Sequence, residues 1–217
     1  MYTPLQKISL RRLLKEPIML DANILMVGID KRGTDPNCSF ENMKSVYMIP
    51  LLESFRDIRI HRMVYDELDV QSRDLVDKYS SVMIVNEEKQ YLQDPQYITI
   101  FNHIADHERI RYSRGSSKDR GEVYSLAYAA YHGINYFSSK EIMVDEIARD
   151  LEDLKDVDII TFDVIVLLAF VYHMSRGDTS KNKALKSIYK RFCEDVIKRH
   201  HLPPTLREYY LQVEKLL

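Results

Sequence analysis

The chain has 217 residues, 45% of them apolar and 29% charged, with a formal net charge of −2. That balance excludes a strongly basic protein that coats nucleic acid, although a local basic surface beside an acidic pocket is compatible with it. Six glycines and seven prolines leave little room for a flexible linker or a low-complexity tract. Cys38 and Cys193 lie far apart and outside any CxxC spacing, which argues against a zinc site or disulfide framework and for a reducing, cytoplasmic setting. The first residues carry no apolar signal core. The longest apolar stretch, Val164 to Tyr172, falls far short of the ~20 residues that cross a bilayer, so no membrane association is expected.

A short basic lead-in ends at Pro17, and the compact apolar run Ile18-Met19-Leu20 predicts a buried first strand that stops at Asp21. Gly28 to Phe40 reads as a loop. Asn42 to Phe55 has helical spacing, with Pro50 breaking or kinking it. Ile58-Arg59-Ile60 alternates like a strand, and Met63 to Tyr79 reads as one helix. Ser81 to Val85 fits either a strand or a helix end. Ile98 to Ile104 is helical, followed by the charged connector His107 to Lys118. Gly121 to Tyr131 is a helix whose alanines permit close packing, ended by Gly133 as a C-cap. Ile134–Phe137 and Val157–Phe162 read as strands, Glu141–Leu151 and Val164–His173 as helices. Alternating strands and helices predict an α/β fold, a three-layer α/β/α arrangement with a mostly parallel central sheet. Lys181 to His200 is a basic helix with an apolar stripe, and Thr205 caps a final helix after Pro203-Pro204. We divide the chain into a domain of residues 1–175 and a C-terminal helical extension of residues 176–217, which packs on the domain or on a partner subunit.

Four acidic stations are spaced along the alternating strands and helices, Asp21, Glu67, Glu122 and Glu141, and three of them stand where a strand ends or a helix begins. The carboxyl ends of parallel strands share one sheet edge, so such carboxylates gather there and suit Mg²⁺ or Mn²⁺, hard cations that bind a few carboxylates with waters and substrate phosphate. A bound ion would polarise a phosphate and activate water for in-line attack. Each residue also has a purely structural use. Asp21 suits an N-cap or Asx turn, Glu67 an exposed ion pair among Asp66 and Asp69, and Glu122 a favourable helix-dipole position with Asp119 as cap. Ser138 with Glu141 spells a capping box.

The run Leu20-Asp21-Ala22-Asn23, the element Val64-Tyr65-Asp66-Glu67-Leu68 and the stretch Gly121-Glu122-Val123-Tyr124-Ser125-Leu126-Ala127 appear in order. With Ser138-Ser139-Lys140-Glu141, this set resembles the PIN-domain family of metal-dependent nucleases, which includes VapC-type bacterial toxins. The resemblance spans about Pro17 to Tyr172. It implies a ribonuclease in which Asp21, Glu67 and Glu122 bind metal. The family's fourth acid is an aspartate after the Ser/Thr that closes a strand, and here Lys140 stands at that place. Glu141 is then the candidate substitute, with Asp145 a weaker one, and Lys140 becomes a phosphate contact or a charge that excludes metal. Candidate substrate contacts are Asn23, Ser138, Lys140, Arg114, Lys118 and Arg120, with Arg109, Arg111 and Tyr112 in the same connector. The resemblance implies RNA as substrate and allows an antitoxin-like protein partner. The C-terminal stripe allows a homodimer. Two other readings stand beside the enzyme: a PIN-like domain without catalysis that binds RNA or protein, and an assembly protein that uses the C-terminal stripe.

Overall fold

The computed structural model describes residues 10–87, 91–113 and 120–214, with side chains left aside at 111–113. Short apolar runs, most rich in β-branched residues, form strands β1 (Ile18–Leu20), β2 (Ile58–His61), β3 (Val82–Val85), β4 (Tyr136–Ser138) and β5 (Asp158–Ile160). They make one sheet in the order β3-β2-β1-β4-β5, every pairing parallel. The α/β class, the parallel sheet and the helical C-terminal segment expected from the sequence are therefore present. Ser81 to Val85, open between two readings, resolves as strand β3, because β2 offers it a parallel ladder from Ile58 to His61.

The chain forms two compact units. One comprises residues 17–25 and 57–160 and contains the whole sheet. In register, Met19 of β1 stands beside Phe137 of β4, which stands beside Ile159 of β5. These residues share a core with Leu126 and Ala127 of the Arg120–Tyr131 helix, Ile100 and Ile104 of the Pro95–Ala105 helix, and Val144 and Ile147 of the Ile142–Asp150 helix. Burying each large aliphatic side chain contributes about 1.5–3 kcal/mol, so this shared core fixes the strand ends that carry the acids. The expected single helix over 63–79 is instead two, Arg62–Glu67 and Val70–Val76. Leu68 is extended there, and Asp69 caps the second helix by accepting from the Ser72 amide at 2.9 Å.

The other unit comprises residues 1–16, 26–56 and 161–217 and is helical in its described parts. Pro50 does not simply break its helix. A π turn over Lys44–Met48 precedes it, and Pro50 sits in the first turn of the Ile49–Ser54 helix, where its missing amide is no loss. Its carbonyl accepts from Ser54 Oγ at 2.6 Å and His173 Nε2 at 2.9 Å. The Phe162–Ser175 helix is buried around most of its circumference, as its nearly unbroken apolar sequence requires. The single basic helix expected over 181–200 is divided at buried Cys193 into Thr179–Phe192 and Glu194–His200. The last helix, Leu206–Glu214, is tied to the Phe162–Ser175 helix by the Tyr209 hydroxyl, which donates to the buried Asp163 carboxylate at 3.0 Å. Burial pushes that carboxyl above the usual range, and the Tyr209 hydrogen bond opposes the shift. Among the described residues no helix is long and apolar enough to cross a membrane.

Tyr209→Phe removes the donor and leaves Asp163 inside the protein. Urea denaturation at neutral pH is expected to show a loss of about 1–3 kcal/mol. An unchanged midpoint would mean that the bond does not hold the last helix.

A carboxylate site at the switch point of the sheet

The strand order reverses between β1 and β4: from β1 the chain builds outward through β2 and β3, then returns to place β4 and β5 on the other side. The carboxyl ends of two such strands diverge and leave a crevice, the usual ligand position in open parallel sheets. Asp21 follows β1 directly, and Ser139, Lys140 and Glu141 follow β4.

One hydroxyl holds the two strand ends together. Ser139 Oγ donates to Asp21 Oδ2 at 3.2 Å, and accepts from Asn23 Nδ2 at 3.2 Å and from the Glu141 amide at 3.1 Å. That uses its one proton and both lone pairs. Asn23 Oδ1 accepts from the Lys140 amide at 3.1 Å, while Asp21 Oδ1 accepts from the Ala22 amide at 2.8 Å. Asp21 and Asn23 are thus both fixed on the segment that follows β4. Asp21 is 2% exposed, and its carboxyl is pushed up from 3.8 to about 7. Burial is the largest cause; the Glu67 and Glu141 carboxylates add to it, while the Ala22 and Ser139 hydrogen bonds oppose it. Asp21, Glu67 and Glu141 are therefore electrostatically joined.

Each neighbour is positioned by its own element. Glu67 is the last residue of its helix, and the acids beside it have other uses: Asp69 caps the next helix and Asp66 lies 3.8 Å from Arg62. Glu67 packs against Gly121, where an added Cβ would stand 2.9 Å from Glu67 Oε1 and 3.0 Å from Val64 Cγ2. Glycine is needed there for close approach. Glu122, the next residue, is buried in the first turn of the Arg120–Tyr131 helix. Glu141 is the N-cap residue of the Ile142–Asp150 helix, but its side chain makes no capping bond. Asp145 pairs with Arg149 at 2.5 Å.

The expected capping box is not formed. Ser138 is fully buried and donates to the Ile160 carbonyl at 2.7 Å, tying β4 to β5, so its hydroxyl is committed within the sheet. Ser139, one residue on, takes the site role. Lys140 and Arg120 are exposed. Arg109 pairs with Glu146 at 3.0 Å. Arg114, Lys118 and Asp119 lie outside the described residues, as do the side chains of Arg111 and Tyr112.

Sequence reasoning also passed over His61 and Glu87. His61 closes β2, the position that Asp21 occupies after β1, and it is fully buried. Its Nδ1 accepts from the Met63 amide at 3.1 Å, which leaves the proton on Nε2 to donate to Glu87 Oε1 at 2.8 Å. Tyr97 also donates to Glu87 Oε1, at 2.5 Å. Burial alone would raise the Glu87 carboxyl, but these two hydrogen bonds outweigh it and hold it below the usual range. The His61 ring stacks on Tyr124, with centroids 5.4 Å apart. His61 thus caps the helix that ends in Glu67 and rests on the Arg120–Tyr131 helix, whose first turn carries Glu122. The first polar residue closing an apolar strand was the available signal.

Among the described residues, no three His, Cys, Asp or Glu side chains converge closely enough to enclose a metal ion as they stand. The donors themselves, carboxylate oxygens and an amide oxygen around a buried aspartate, are of the kind that Mg²⁺ and Mn²⁺ accept. No protein-family model matches the chain, and neither a curated protein nor a solved structure does.

The raised Asp21 carboxyl gives a pH dependence in metal-free buffer. Between about pH 4 and pH 7 the folded protein keeps a proton that the unfolded chain has released, so stability falls as pH rises through that window and levels off above it. Asp21→Asn is expected to flatten this slope and to be more stable than wild type at pH 8 by about 1–3 kcal/mol, less than the full shift because Ser139 loses its acceptor. Urea titrations in EDTA from pH 4 to pH 8 provide the measurement, and parallel profiles for the two proteins would contradict it.

Proposed function

We propose that the chain is a Mg²⁺- or Mn²⁺-dependent phosphodiester hydrolase acting on RNA in a reducing, cytoplasmic setting. The observation that carries this reading is Asp21: a carboxyl buried at the switch point of a parallel sheet, and pushed up further by the charges of Glu67 and Glu141. Carboxylates held in mutual repulsion are relieved when a cation sits among them. Asp21 would be the central ligand, with Glu67, Glu122 and Glu141 binding directly or through water. The ion, when bound, supplies polarisation of the phosphoryl oxygen and a water of lowered pKa.

The chain's own residues supply position and charge. Ser139 and Asn23 fix the Asp21 carboxylate, and His61 holds the start of the helix that presents Glu67. In this reading Glu67 and Glu122 orient water or take its proton, and the exposed Lys140 and Arg120 side chains contact phosphate. RNA as the substrate rests on the PIN-domain resemblance of the ordered acidic stations. The free, buried thiols of Cys38 and Cys193 accord with a reducing compartment.

A second reading has its own support. The acids do not converge on an ion as they stand, and a lysine occupies the place of the fourth acid. A domain of this kind without catalysis would bind RNA through Lys140 and Arg120 and leave it intact.

Calorimetric titration with MnCl₂, paired with cleavage of an end-labelled single-stranded RNA, separates the two. Wild type is expected to bind Mn²⁺ and cleave, and Asp21→Asn to lose both. Ser139→Ala, which releases the Asp21 carboxylate, is expected to lose about 10–100-fold in metal affinity. RNA binding without Mn²⁺ binding or cleavage at millimolar metal would instead establish the second reading. Gly121→Ala tests the arrangement from another side. Its Cβ would displace the end of Glu67 and press on buried Val64, so cleavage is expected to fall about tenfold with a stability loss of about 1–3 kcal/mol, assayed at a temperature where the variant stays folded. Equal activity of Gly121→Ala and wild type would remove Glu67 from the site.

A further inference from the structure

The C-terminal helices enclose a half-open cavity of about 420 Å³ between the Phe162–Ser175, Thr179–Phe192 and Leu206–Glu214 helices, all in the helical unit. Its size falls within the usual range for small-molecule sites, about 300–1,000 Å³. Three cations line it, Lys183, Lys186 and Arg207. None of the three has an acidic partner among the described residues, and Lys186 instead lies over the Phe170 ring, 5.6 Å from its centroid. Arg11 adds positive charge near Tyr210. Glu214 accepts from the Tyr210 hydroxyl. Among the described residues no acidic side chain lines the cavity.

The rest of the lining is apolar and aromatic. The Phe170 and Tyr210 side chains contribute aromatic surface, and Met174 and Leu211 are two of the exposed large hydrophobic residues of the chain. Asn182 also lines the cavity, and its Oδ1 is shielded from water with no hydrogen-bond partner among the described residues. A buried amide oxygen without a donor carries a desolvation cost that a ligand N–H would remove.

These features define one ligand chemistry. Three cations in one lining exceed what a monocarboxylate needs and suit a multiply charged phosphate. Aromatic faces beside them suit a flat ring, with the cations able to reinforce stacking. A lone amide suits the hydrogen-bonding edge of a heterocycle. We infer that the cavity formed by the C-terminal helices is a nucleotide-binding site that takes a nucleoside diphosphate, with its phosphates on Lys183, Lys186 and Arg207 and its base against Tyr210 and Asn182. This site shares no residue with the carboxylate site and does not depend on the hydrolase reading.

The probe is adenosine diphosphate carrying an N-methylanthraniloyl fluorophore, titrated into the full-length chain in EDTA and read by anisotropy. Saturable binding is expected, displaced by unlabelled ADP and more weakly by inorganic pyrophosphate. The exposed pair Lys186→Gln and Arg207→Gln, made together, should weaken binding at least about tenfold, the loss expected when charge-assisted contacts to phosphate are removed. Lys190→Gln, on the same helix but outside the cavity, and Asp21→Asn should each bind as wild type does. Three results would overturn the assignment: no saturable binding, wild-type affinity in the double variant, or displacement by decanoate as effective as by ADP, which would mark a site for a singly charged amphiphile.

Discussion

The hydrogen bonds of the Ser139 hydroxyl are the constraint on which the carboxylate site depends. A serine hydroxyl has one proton and two lone pairs, and here all three are spent on residues that follow β1 and β4. The consequence is directional. Because Asn23 and Glu141 donate to the oxygen, its proton is left for Asp21, so the ionised form of Asp21 is the one that this hydroxyl favours. Burial works the other way and exceeds it, with Glu67 and Glu141 adding repulsion. Asp21 is thus held rigidly in a place where its charge is costly, a combination that relief by a cation would resolve.

Support for the site extends well away from the crevice. Glu67 stands at the end of a helix whose first amide groups are fixed by His61, and His61 is fixed in turn by Glu87 and Tyr97. Gly121 lets Glu67 lie against the first turn of the Arg120–Tyr131 helix, which carries Glu122 and where any side chain would intrude. Position in the sheet, helix capping and close backbone approach therefore act on the same few carboxylates. The helical unit follows a different logic. Its central helix, Phe162–Ser175, is apolar on nearly every side, and the one carboxylate it buries, Asp163, is matched by a tyrosine from the last helix.

The sheet was legible in the sequence because its strands are short apolar runs, each closed by a polar residue, and this pattern survives without knowledge of neighbours. Asp21 and Glu122 could be singled out because they sit at the ends of expected elements, and Glu67 through the run Val64-Tyr65-Asp66-Glu67-Leu68. What the sequence did not disclose depends on tertiary pairing. Ser138 and Ser139 are chemically identical, and only the alternation of the pleat decides that Ser138 donates into the sheet while Ser139 faces Asp21. The break after Glu67 was hidden because Asp69 looks like one more charge in a charged helix until its capping bond to Ser72 is seen. Glu87 carried no local signal, for its meaning comes from His61 on a neighbouring strand. The helical stretch around Pro50 and its interruption were legible, but the π turn that makes the interruption has no distinctive sequence periodicity.

Lys140 is the residue on which an argument against catalysis would rest, and its setting weakens that argument. The site uses the backbone of residue 140, whose amide fixes Asn23 Oδ1, and that bond is indifferent to the side chain. In the proposed reading Glu141 would supply the charge of the missing aspartate: its amide is anchored on Ser139, its side chain is not consumed in capping, and its charge raises the Asp21 carboxyl. Displacement of the acid by one residue exchanges a short side chain for a longer one on the same anchored turn. An acid and a lysine then stand side by side after β4, both exposed, one suited to a cation and the other to the phosphate that accompanies it.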